Sequence, residues 1–227
     1  MIQAVIFDFD GTVADTISAL REGINLTMEQ YGYPTHTDGD ILRFINHGAR
    51  ELVRRAMPAH LQGDEALLDR VLADYNIHYG KVYHHTDHAY DGIPELVDAL
   101  HREGFRIGVL SNKQDGILRK LVEQVLIPGS YDAAQGVIPG KPTKPHPYLA
   151  EKIAAELSVP PSACVMVGDS DVDFRTAQNA GMLHVGVTWG FRDAEFLKAN
   201  GAKHLAHSPG ELGEIIRQLN QDHGKDI

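Results

Sequence analysis

Four short, mostly apolar runs, at residues 4–7, 105–110, 163–167 and 183–187, alternate with helical stretches, and this alternation narrows what the chain can fold into. Each run has the length and character of a strand buried on both faces. Between and after them, apolar residues recur at helical spacing: Leu118, Leu121, Val122 and Val125, then Leu149, Ile153 and Leu157, then Leu212, Ile215, Ile216 and Leu219. Strands separated by helices pair in parallel through crossovers, so the pattern predicts an open α/β fold with helices on both faces of the sheet. One stretch breaks the rhythm. From residue 14 to 85 the periodicity is helical throughout (Ile17, Leu20, Ile24 and Met28, then Leu67, Val71 and Tyr75) and no strand stands out. The economical reading is a core of residues 1–13 and 86–227, with a helical domain of residues 14–85 inserted after the first strand. Such an insert lies above the strands' C-terminal ends, where open α/β sheets bind ligands, and can act as a lid. A chain of 227 residues is long enough for both parts.

Charge and cysteine content exclude several classes of function. The net charge is −10, and an acidic surface repels nucleic acid backbones and anionic lipid heads. An anionic substrate would therefore have to find its positive field inside the site. The single cysteine, Cys164, cannot close an internal disulfide, and no apolar run approaches a membrane span. The N-terminus carries Asp8 and Asp10 where a signal peptide would be apolar. These features predict a cytoplasmic protein without nucleic acid or membrane partners.

Chemistry concentrates at the ends of the strands. Asp8 and Asp10 follow the first run, and residues two apart in extended chain face the same side. Gly11 then lets the backbone approach an anion closely. Two converging carboxylates repel each other and call for a cation, most simply Mg²⁺ with its preference for oxygen ligands. Ser111 and Asn112 end the second run with a hydroxyl and an amide suited to phosphate oxygens. Lys144 begins a Lys-Pro-x-Pro segment before a helix, and residues 168–173 (Gly-Asp-Ser-Asp-Val-Asp) form a second acidic cluster. Lys141 competes with Lys144 for the cationic place. Gly140-Lys141 hints at a P-loop, but the earlier glycine that this motif needs is Gln135. All four stations can converge on one crevice.

With these residues, in this order, the sequence resembles the haloacid dehalogenase superfamily of phosphatases. The resemblance rests on residues 8–12 (Asp-Phe-Asp-Gly-Thr), Ser111, Lys144 and residues 168–173. It implies a Rossmann-like parallel-sheet core, with residues 14–85 as an inserted α-helical cap. It further implies that Asp8 attacks phosphorus and Asp10 serves as acid and then base. Gly11, Ser111, Asn112 and Lys144 would hold phosphate, and Asp8, Asp10 (through its carbonyl), Asp169 and Asp173 would hold Mg²⁺. Residues 48–52 and 186–190 look most like phosphoglycolate phosphatases, making 2-phosphoglycolate the expected substrate. That substrate's second anion needs a further cation, for which Arg50, then Arg43, with His47 as a donor, are the candidates; Asn46 lies beside them. Other readings are a phosphatase for pyrophosphate or a sugar phosphate, a β-phosphoglucomutase-like phosphotransferase and, from another class, a phosphoacceptor regulatory module. The partner is expected to be a small phosphorylated metabolite and the protein a monomer or homodimer. His84, His85 and His88, with Asp87 and Tyr90 beside them, read as a hinge rather than a metal site.

Overall fold

A computed structural model describes residues 1–45, 47–86 and 88–223. Asn46, Asp87 and the side chain of His85, named above, lie outside the described residues. The first apolar run is strand β1 (Ala4–Phe7), buried along its whole length. It pairs in parallel with β4 (Arg106–Gln114) on one side and β6 (Cys164–Gly168) on the other, with Phe7 level with both Val109 and Val167. With β5 (Ala133–Val137), β7 (Leu183–Val187) and β8 (Leu205–Ala206) the sheet reads β5-β4-β1-β6-β7-β8. Its connections diverge from β1 to either side, which opens a crevice at the C-terminal ends of β1, β4 and β6.

Alternation along the strands covers both faces. Ala4 and Ile6 of β1 and Cys164 and Met166 of β6 join one apolar cluster with Leu149, Ala150 and Ile153 of helix α7 (Tyr148–Glu156) and Ala177 of helix α8 (Asp171–Ala180). Val5, Phe7, Val165 and Val167 point to the other face and are equally buried. Cys164 is a wholly buried core residue whose thiol burial pushes up to about 11.

Two features depart from the expectation. Strand β4 does not stop at Leu110 but runs on to Gln114, so Ser111, Asn112 and Lys113 are strand residues. Strand β5 was not anticipated, because Ala-Ala-Gln-Gly-Val lacks the β-branched character of a strand. Its pairing depends on Gly136, where a Cβ would stand 2.5 Å from the Cα of Asp115.

The chain divides into two compact units, residues Met1–Asp15 with Ala89–Ile227, and Thr16–His88. The second is helical: α1 (Ile17–Gln30), α2 (Asp38–Phe44), α3 (Gly48–Ala56) and α4 (Glu65–Thr86). Ala19, Leu20, Gly23, Ile24, Thr27 and Met28 form the buried stripe of α1, while Leu68, Val71, Tyr75, Tyr79 and Val82 form that of α4. Gly23 lets the two helices approach, since a Cβ there would lie 3.3 Å from the Cα of Tyr79. Among the described residues no helix is long and apolar enough to cross a membrane.

Candidate active site

Asp8 is the first residue beyond β1, and its N–H still donates to the carbonyl of Val167 at 2.8 Å. The chain then turns through Gly11 at φ +77°, left-handed backbone that favours glycine. A Cβ at Gly11 would stand 2.3 Å from Oδ2 of Asp169, so the glycine lets this loop close against the end of β6. Its N–H is already donated to the carbonyl of Ala14 at 2.9 Å. Gly11 thus contributes the space that brings the loop after β1 close to the end of β6.

The end of β6 is equally crowded. Asp169 is wholly buried, and Ser170 caps helix α8 while donating to Oδ2 of Asp173 at 2.6 Å. This folds Asp173 back over Gly168, where a Cβ would lie 2.3 Å from the Asp173 side chain. Oxygens of Asp8, Asp169 and Asp173 consequently gather within 4.8 Å of one another. Lys144, from the loop before α7, reaches into the group: its Nζ lies 2.7 Å from Oδ1 of Asp8 and 2.7 Å from Oδ1 of Asp173. Lys141, its competitor in the sequence, is exposed and lies over the ring of Tyr148.

Three buried carboxylates around one ammonium carry an uncompensated negative charge. Burial, followed by the charge of Asp173, pushes the carboxyl of Asp8 well above the usual range, against the pull of Lys144. The same two causes, in that order, push Asp169 up to about 7. Burial works against the ammonium of Lys144, but Asp173 and Asp8 outweigh it and hold its proton more tightly than usual. Oδ1 of Asp169 is buried without a hydrogen-bond partner. An all-oxygen donor set with excess negative charge and an unsatisfied oxygen fits a hard divalent cation such as Mg²⁺.

The extended end of β4 supplies the other wall. Ser111 and Lys113, two apart on a strand, face the same side and both hold the carboxylate of Asp10. Ser111 Oγ donates to Asp10 Oδ2 at 3.2 Å, and Lys113 Nζ lies 3.0 Å from Asp10 Oδ1. The Asp10 side chain thus turns toward β4 and stands apart from the three-carboxylate group. Asn112 differs from its expected role: its Oδ1 accepts from the N–H of Lys144 at 2.9 Å and its Nδ2 donates to the carbonyl of Lys144 at 3.0 Å. Both ends of the amide grip the Lys144 main chain, so the Asn112 side chain positions Lys144.

Candidates from the helical unit are engaged within it. Arg50 lies 2.7 Å from Glu65 and 2.5 Å from Asp69, and Arg43 pairs with Asp40. Arg54 and Arg50 hold the carboxyl of Glu65 down at about 2. His47 is exposed at the N-cap of α3.

Other residues of the site escaped the sequence reading. Lys113 is the foremost, and its signal was its place two residues after Ser111 on an extended strand. The loop after β7 is another: Phe191 N–H donates to Asp169 Oδ2 at 2.7 Å, and the indole N–H of Trp189 to the carbonyl of Thr12 at 3.1 Å. Trp189 thereby ties this loop to the one that follows Asp10.

Comparison with known proteins agrees with this architecture. The family profile of haloacid dehalogenase-like hydrolases matches residues 5–187. A phosphoglycolate phosphatase of Rhodospirillum rubrum is 31% identical over 224 residues, covering 95% of this chain and 91% of that protein. One from Vibrio parahaemolyticus is 26% identical, covering 95% and 96%. A crystal structure of a candidate phosphoglycolate phosphatase from Lactobacillus delbrueckii subsp. bulgaricus superposes with a TM-score of 0.87 at 32% identity, over 94% of this chain and 98% of the other. A β-phosphoglucomutase from Clostridium difficile shares the fold at 22% identity and a TM-score of 0.77, over 98% and 99% of the two chains.

Proposed function

The chain belongs to the haloacid dehalogenase-like hydrolases, and from that premise we propose that it is a Mg²⁺-dependent phosphatase that hydrolyses 2-phosphoglycolate through an aspartyl-phosphate on Asp8. That it is a phosphatase follows from the family and its curated relatives; the metal, the intermediate and the substrate are the proposal. The observation that carries it is the ammonium of Lys144 bonded to both Asp8 and Asp173 inside a group of three carboxylates at the sheet's C-terminal edge.

In the first half-reaction an Asp8 carboxylate oxygen bonds to phosphorus as the ester P–O bond breaks, and Asp10 gives its proton to the departing alkoxide. In the second, Asp10 takes a proton from water as the water oxygen attacks phosphorus, releasing inorganic phosphate and restoring Asp8. Lys144 and the Ser111 hydroxyl meet the phosphoryl oxygens, on which charge accumulates. Asn112 keeps Lys144 in place from its main chain. Asp8, the carbonyl of Asp10, Asp169 and Asp173 would hold Mg²⁺, which when bound neutralises the crowded carboxylates and draws charge from the phosphoryl group.

The test is release of inorganic phosphate from 2-phosphoglycolate, hexose phosphates and pyrophosphate with Mg²⁺ and with chelator. Preference for 2-phosphoglycolate and loss of turnover in chelator are expected. Asp8→Asn should lower kcat by at least about a thousandfold in a folded protein, because the amide cannot attack phosphorus. A folded Asp8→Asn protein of near-normal activity would exclude the aspartyl-phosphate, and faster turnover of hexose phosphates or pyrophosphate would exclude the substrate.

A further inference from the structure

We infer that Lys113 is the residue that recognises a carboxylate on the substrate, exchanging its resting partner Asp10 for it. The inference rests on the reading of the site given above and deepens it, by naming the group that makes an anionic substrate preferred. In a protein of net charge −10, a second substrate anion needs a local cation. Lys144 is bonded to Asp8 and Asp173, and Arg50 is held by Glu65 and Asp69. Lys113 stands elsewhere, beside the acid/base residue and on the same side of β4 as Ser111.

Its side chain is only 5% exposed, whereas that of Asp10 is 24% exposed. A buried ammonium needs a counter-anion, and in the resting protein Asp10 supplies one at 3.0 Å. The more open partner is the carboxylate, so an incoming anion meets the pair from Asp10's side. Distances favour the exchange. The ester oxygen that leaves phosphorus must come to Asp10 for its proton, and in 2-phosphoglycolate the carboxylate oxygens lie about 3 Å from that oxygen, three bonds away. This matches the span from Asp10 to Lys113, so a substrate carboxylate in that position comes within reach of the ammonium. A neutral substrate of the same size offers nothing in exchange. Discrimination then follows from the charge-assisted contact with the ammonium that only the carboxylate can make.

The experiment compares 2-phosphoglycolate with phosphoglycolamide, a near-isostere in which a neutral amide replaces the carboxylate, in the Mg²⁺-loaded enzyme and its variants. Wild type should prefer the carboxylate, and Lys113→Met should lower the ratio of kcat/KM values (carboxylate over amide) by about tenfold or more, chiefly through KM. Lys113→Arg should recover much of the ratio. General damage from an orphaned Asp10 would slow both substrates alike and leave the ratio intact, so an unchanged ratio in Lys113→Met overturns the inference alone. Should Lys113→Met fail to fold, Lys113→Gln against Lys113→Arg gives the same contrast. A wild-type enzyme indifferent to the carboxylate overturns the inference and the 2-phosphoglycolate assignment together, before any variant is made.

Discussion

Gly190 has no side chain, and the loop around it has no room for one. A Cβ there would stand 2.2 Å from the carbonyl oxygen of Gly11 and 2.5 Å from the Cβ of Asp169. Neither neighbour can yield cheaply, since one is backbone and the other is a wholly buried residue of the carboxylate group. Gly190→Ala is expected to cost roughly 1–3 kcal/mol of stability, as overpacking does, and to lower kcat at least about tenfold by shifting Asp169. Thermal melts and steady-state rates on one preparation check both effects; a melt and a rate equal to wild type would mean that the loop adjusts freely. Single residues differ in how well their own sequence announced them. Asp8, Asp169 and Asp173 stood out because acidic residues at strand ends are conspicuous. Lys113 did not, because its meaning depends on β4 continuing past Leu110, and the stretch Ser-Asn-Lys-Gln has little strand character of its own.

At the scale of elements, β4 and the α3–α4 pair show two uses of charge. On β4 the ion pair of Lys113 and Asp10 is mostly enclosed, where charge is poorly screened. On α3 and α4 the pairs of Arg50 with Glu65 and Asp69 are exposed, and such pairs contribute little. Arg50→Ala is therefore expected to lower the melting temperature by no more than about 4 °C. It should also leave the preference for 2-phosphoglycolate over its amide within about twofold, since that preference is assigned to Lys113. A tenfold rise in KM confined to 2-phosphoglycolate would return Arg50 to substrate binding. The helices themselves were legible, because apolar stripes on α1 and α4 repeat at helical spacing. Their arginines were not, since the carboxylates that engage Arg50 lie on a different helix.

For the whole molecule, the crowded carboxylates make a prediction that needs no substrate. Asp8, Asp169 and Asp173 meet around one ammonium, and a cation that binds them in the folded state alone must stabilise it. At Mg²⁺ tenfold above its dissociation constant the gain is about 1.4 kcal/mol, or roughly 3–6 °C for a chain of this size. Asp169→Asn should abolish most of that shift, because it removes the carboxylate whose Oδ1 has no hydrogen-bond partner in the fold. Melting curves with Mg²⁺ and with chelator measure it. A melting temperature indifferent to Mg²⁺ would count against a metal at these residues.

The sequence by itself determined the α/β class, β1 and the acidic turns that follow β1 and β6. Those properties reside in neighbouring residues: a short apolar run, two carboxylates at spacing two, a serine at the N-cap of α8. Tertiary structure alone decided which partner each polar group takes. Asn112 lies 32 positions from Lys144 and grips its backbone, and Ser111 lies 101 positions from Asp10 and donates to it. The physical reason is that local spacing sets the side of the chain on which a group emerges, whereas its partner is set by the register of β1 between β4 and β6. Once those strands align Phe7 with Val109 and Val167, the carboxylates and ammoniums at their ends must neutralise one another at close range, and burial leaves few ways to do so.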